Sequence, residues 1–141
     1  MKIFFVILAL SFSFSAFACP QLDGIFSDSD SESNRTIVQS GCTSSTWTDA
    51  DGTTTLIADN VERVLQAEGS MTAYAKVSFT NDDLIIDIRM DYGGNNQYDL
   101  PVRWITSYRI DKFNNLVEKI QPFEADGSEG STDYQTYRRV K

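Results

Sequence analysis

Four side chains with an apolar body and a polar tip, Trp47, Tyr74, Trp104 and Tyr108, recur along the chain in the company of Arg89 and Arg103. Rings of this kind wall small-molecule pockets, because each offers a large apolar contact and one oriented hydrogen bond. The two arginines, if they turn inward, are candidate partners for a carboxylate head group. Ala73 and Ala75 leave room beside them that larger residues or a ligand must fill. These residues form a candidate site for an apolar or amphipathic small molecule, and the same rings are equally suited to filling a core.

Other chemistry is narrowed by composition. The chain has no histidine, so Ser-His and Cys-His nucleophiles and histidine-ligated metals are excluded. Its two cysteines, Cys19 and Cys42, read as a joined pair and so as neither nucleophile nor thiolate ligand. With 20 acidic residues some carboxylate pair always falls close together, so such a pair does not by itself indicate glycoside hydrolysis. Asp28 to Asn34 alternates oxygen-bearing side chains as a calcium loop does, yet Ser33 stands where an EF-hand needs glycine and Gln39 where it needs the bidentate glutamate. It reads as a flexible acidic loop whose end Arg35 neutralises. We therefore expect a binding protein rather than an enzyme, with no metal and no cofactor.

The elements that must position these residues are strands. Runs rich in Thr, Val, Ile, Tyr, Phe and Trp recur at short intervals between Gly, Asn, Asp and Ser clusters, the pattern of an antiparallel meander. In 71–80, Met71, Ala73, Ala75, Val77 and Phe79 alternate with polar neighbours. After Asn81-Asp82-Asp83, residues 84–92 set Ile86, Ile88 and Met90 opposite Asp87, Arg89 and Asp91, which makes the two segments a hairpin. Gly93 to Asn96 turns into 98–111, with Pro101 marking an edge, a bulge or a break. Further strands are expected at 23–27, 35–40, 43–48, 53–58, 116–123 and 133–140. Residues 60–68 support two readings, a short helix capped by Asn60 and Gly69 or a strand, of which we favour the strand. The fold class is all-β, an up-and-down meander of about eight to ten strands that removes its edges most simply by closing into a small barrel, with an open sandwich as the alternative.

Leu22-Asp23-Gly24-Ile25-Phe26 resembles the Gly-x-aromatic opening of the calycins, the superfamily of lipocalins, fatty-acid-binding proteins and avidins. The resemblance implies a lipocalin-like barrel whose floor is closed by Gly24 and Phe26 under a basic residue of the last strand, Arg138 or Arg139. Lipocalins usually carry Trp where this chain has Phe26. Thr132-Asp133-Tyr134 and Tyr137 also match a lipocalin string, which in lipocalins precedes two more strands and a helix. The opening Cys-Pro-x-Leu-x-Gly is similar to small exported proteins of predatory bacteria, a likeness that brings no activity with it.

Residues 1–18 have the order of a signal peptide: Lys2, an apolar run from Ile3 to Leu10, and Ala16-Phe17-Ala18 before the cut. Ser11, Ser13 and Ser15 interrupt the stretch, and a membrane span needs about 20 apolar residues. One domain from 19 to 141 is expected, exported to the periplasm or the medium. There Cys19 and Cys42 would pair, closing a loop worth about 3.5 kcal/mol in the chain-entropy account. A lipoprotein anchored through Cys19 is the competing reading, and it would strand Cys42 as a lone thiol. The full chain's net charge of −8 becomes one unit more negative when Lys2 is removed. Such a surface repels nucleic acid and anionic membranes, so the partners to consider are the small apolar ligand or, alternatively, a basic protein bound by an acidic inhibitor-like module. The protein is expected to be a monomer.

Overall fold

The computed structural model describes residues 19–28, 33–94 and 99–140. The expected signal segment, the middle of the acidic loop at 29–32, and residues 95–98, with the end of the expected Gly93–Asn96 turn and Tyr98, lie outside the described residues. Ten strands are present: β1 (Gly24–Asp28), β2 (Asn34–Ser40), β3 (Ser44–Asp49), β4 (Gly52–Ile57), β5 (Arg63–Glu68), β6 (Met71–Phe79), β7 (Leu84–Asp91), β8 (Arg103–Ile110), β9 (Leu116–Phe123) and β10 (Asp133–Arg139). They form one antiparallel sheet in the order β4-β3-β2-β1-β10-β9-β8-β7-β6-β5. No helix among the described residues is long and apolar enough to cross a membrane.

Most of these elements follow the alternation directly. Val77 faces Ile86 and Phe79 faces Leu84 across β6 and β7, so the apolar sets of the two segments fall on one side of the sheet. Pro101 lies just ahead of β8, and its carbonyl accepts the Tyr92 hydroxyl at 2.8 Å, so here the proline marks a break before the strand. Residues 63–68 are extended, as favoured, and pair with β6.

The expected closure into a barrel is corrected by the pairing. Every consecutive pair of strands is joined except β4 and β5, and the sheet is a curled half-barrel with two edges. The connection between the edge strands is tied to β6, where Asn60, in the left-handed region at φ 61°, donates its N–H to the Val77 carbonyl at 2.9 Å. Beyond that point a bulge shifts the β5–β6 register between Val64 and Gln66. A bulged strand bends and twists more strongly than its neighbours, and β5 is not paired with β4.

The core lies on the concave face. Leu22, Phe26, Ile37, Leu84 and Leu116 are completely or almost completely buried, joined by Trp47, Val77, Tyr108 and Tyr137. Leu22 precedes β1 and is held by a cluster of bonds from Gln39. The Gln39 side chain accepts the Leu22 N–H at 3.0 Å and donates to the Pro20 and Gly41 carbonyls at 2.8 Å each. A disulfide joins Cys19 to Cys42 with their Cα atoms 5.5 Å apart. The Cys19 sulfur is thereby committed to Cys42 rather than to a lipid, and the bond fits an oxidising compartment.

The basic residue over Phe26 is Arg139. Register places Phe26 opposite Arg139 and Ser27 opposite Arg138, so Arg138 points to the other face of the sheet. The Arg139 guanidinium lies 4.7 Å from the Phe26 ring centroid and donates to the Asp23 carbonyl at 2.5 Å and the Asn114 carbonyl at 3.1 Å. It passes so close to Gly24 that a Cβ there would run into it.

Candidate functional site

The neighbouring strands β1, β2 and β3 bring one polar group into the concave face above the core. Phe26 faces Arg35 across β1 and β2, and Ile37 faces Trp47 across β2 and β3. Two residues along from that apolar pair, Arg35 and Asp49 therefore share the same side, with the Arg35 Nε 3.9 Å from an Asp49 carboxylate oxygen. The guanidinium is clamped between two rings, 5.4 Å from the Trp47 centroid and 4.8 Å from that of Tyr137. Its Nη1 is buried, and it is the one such side-chain nitrogen or oxygen among the described residues that has no hydrogen-bond partner.

The rings themselves are held firmly. Trp47 donates its indole N–H to the Ser45 hydroxyl at 2.8 Å and meets Tyr108 edge to face at 4.5 Å between centroids. On the far side Tyr108 and Tyr137 donate to the two oxygens of one buried carboxylate, Glu118, at 2.5 and 2.7 Å. A buried carboxylate is costly unless its lone pairs are used, and here both oxygens are bonded while Arg35 supplies opposite charge nearby.

Burial pushes the Tyr137 hydroxyl up to about 12, and the hydrogen bond to Glu118 adds to the shift. Burial and the Glu118 charge push Tyr108 further in the same direction. A raised value means that the folded protein keeps a proton the unfolded chain loses near the ordinary tyrosine value of 10.0. The stabilisation is complete below that pH and disappears as pH rises through the Tyr137 value. Urea midpoints measured from pH 9 to about pH 12 are therefore expected to fall, and Tyr137→Phe is expected to flatten the fall. Parallel slopes for parent and variant would show that Tyr137 does not carry the effect.

Two clefts meet at Arg35 and Asp49. The smaller, of about 160 Å³, runs between Asp28, Asn34, Asp51 and Tyr137. The larger, of about 330 Å³, opens into the trough of the half-barrel with Trp47, Leu56, Ile86 and Tyr108 on its wall and Asp49 and Asp51 at its rim. Its volume lies at the lower end of the range for small-molecule sites.

Of the six residues expected to bind a ligand, Trp47 and Tyr108 come together here. Trp104 shares the concave face, opposite Ile88 and Pro122, but stands outside the lining of this cleft. Tyr74, Arg89 and Arg103 lie on the convex face, in register with one another across β6, β7 and β8. Arg89 covers the Tyr74 ring at 4.3 Å and pairs with Glu62 at 3.0 Å. Arg103 makes two 2.8 Å bonds to Asp87, and this holds the Asp87 carboxyl below its usual range. Neither arginine turns inward, and the arginine that lines both clefts is Arg35. Sequence reasoning placed Arg35 at the end of the acidic loop, and the signal it missed was Arg35 standing two residues before the inward Ile37.

No family model, no curated protein and no solved structure matches the chain.

Proposed function

We propose that this is an exported binding protein that holds one small amphipathic molecule in the cleft at Arg35. The observation that carries the reading is the guanidinium itself: clamped by two rings, with a buried, unpartnered N–H, in a residue that lines both clefts. Buried donors without partners are rare in folded proteins and cost free energy, so a group that accepts from Nη1 would remove a penalty as well as add a contact. The apolar part of the ligand would lie against Trp47, Leu56, Ile86 and Tyr108. Asp49 and Asp51 line the same space and disfavour a further full negative charge. The head group that suits the site is therefore a neutral or zwitterionic one with an acceptor oxygen, rather than a bare carboxylate.

The test is native mass spectrometry on parent protein and Arg35→Leu, each purified from the envelope or medium of the producing cell. The parent is expected to carry a small non-covalent adduct that is lost on denaturation, with occupancy at least about tenfold lower in the variant. Loss of one charged hydrogen bond is enough for such a change. A parent that carries no adduct, and whose Trp47 fluorescence does not respond saturably to lipid and small-molecule extracts of that cell, would remove the proposal.

A further inference from the structure

The strand β5 is the last in the sheet order, and all six of its residues are exposed. Two of them are large and apolar, Val64 at 60% and Leu65 at 55% exposure, and Val61 just before the strand is exposed to 51%. An edge of this kind offers a row of backbone donors and acceptors to another strand, and proteins ordinarily blunt it with charge, proline or a bulge; β5 has the bulge and still exposes its apolar side chains. On a chain with a net charge of −8, Arg63–Glu68 carries one charge of each sign and is locally neutral.

The order of its residues selects the occupant. Two copies of Arg63-Val64-Leu65-Gln66-Ala67-Glu68 laid antiparallel about an axis between Leu65 and Gln66 place Arg63 of one opposite Glu68 of the other, twice by symmetry, and Val64 opposite Ala67. In a regular strand residues five apart project to opposite faces. Here the bulge between Val64 and Gln66 resets the alternation, so that Arg63 pairs with Ala75 and Glu68 with Met71, two positions on the same face of β6. Opposite charges therefore meet on one side of the seam. The other edge, β4, carries no charged residue and has no comparable device for setting a register.

We infer that β5 is a homodimer edge, pairing antiparallel with β5 of a second copy and joining two ten-stranded sheets into one. Arg63 is exposed and bonds Asp59 through its two Nη atoms, so in the dimer Glu68 of the second copy would extend this ion pair. This reading does not depend on what occupies the cleft.

The test is sedimentation equilibrium on the exported protein, on Arg63→Glu and Glu68→Arg separately, and on an equimolar mixture of the two variants. The parent is expected to be dimeric. Each single reversal sets two like-charge pairs across the seam and weakens association by roughly tenfold or more. The mixture restores both opposite-charge pairs and should recover a dimer containing one copy of each variant. Unchanged circular dichroism of the variants shows that the fold is intact. A parent that stays monomeric up to about 100 µM, single variants that dimerise as the parent does, or a mixture that stays monomeric would each overturn the inference.

Discussion

Phe26→Ala is expected to lower the free energy of unfolding by about 3–5 kcal/mol, a large share of the 5–15 kcal/mol that holds a typical domain. The ring has no solvent exposure and packs within a core that contains Leu22, Ile37, Leu84 and Leu116. Removing it opens a cavity in a place where collapse is resisted from two sides. The Cys19–Cys42 disulfide fixes the segment that carries Leu22, and Arg139 is anchored above by the Asp23 and Asn114 carbonyls. The guanidinium also loses the ring it stacks on, which adds to the transfer and cavity costs. Urea unfolding of parent, Phe26→Leu and Phe26→Ala measures the effect, with the leucine variant falling between the other two. A loss below about 1 kcal/mol for the alanine variant would mean that the floor of the half-barrel is not where its stability resides.

Replacing both Cys19 and Cys42 by serine is expected to cost about 2–4 kcal/mol. The bond spans 23 positions of sequence and encloses the whole of β1 and β2, so it restrains the unfolded chain over a long loop. In the folded state it also sets the segment whose Leu22 fills the core and whose Pro20 carbonyl is bonded by Gln39. Thermal unfolding with and without reductant gives a matched comparison. Reductant should lower the parent's midpoint to that of the double variant and leave the double variant unchanged. A parent indifferent to complete reduction would show that the sheet alone organises the N-terminal segment.

Much of this architecture was legible because the pleat writes itself into the sequence with a period of two. The alternation at Met71–Phe79 and Leu84–Asp91 defined a hairpin and its buried side, and the turn residues between runs located the remaining strands to within a few positions. The same alternation already set Arg89 opposite Ile86, Ile88 and Met90, and Arg103 opposite Trp104, so the convex placement of both arginines follows the pattern their candidacy set aside. Glu118 between the inward Leu116 and Ile120 was a readable sign of a buried carboxylate. Three matters were not readable. Whether Arg138 or Arg139 covers Phe26 depends on which residue of β10 lies opposite β1, and that pairing joins positions more than a hundred residues apart. The pairing of Arg35 with the Trp47 and Tyr137 rings arises between strands from both halves of the chain. The open gap between β4 and β5 and the one-residue bulge in β5 both concern strand direction and register, which leave no mark on composition.

The adjacency of β1 and β10 determines how this chain can acquire its structure in time. The first and last strands lie side by side in the interior of the sheet, while the covalent link between β4 and β5 runs at its rims. Residues 24–57 can therefore form one stack of hairpins and residues 63–139 another, each from near neighbours. The seam that unites them must wait for the last strand to be made. Its contacts have nearly the largest sequence separation the chain allows, and such contacts make folding slow, because loop closure must precede any gain from pairing. Until then each stack has an unpaired strand on its seam side, so the chain gains its cooperative stability late, after its whole length is free to move.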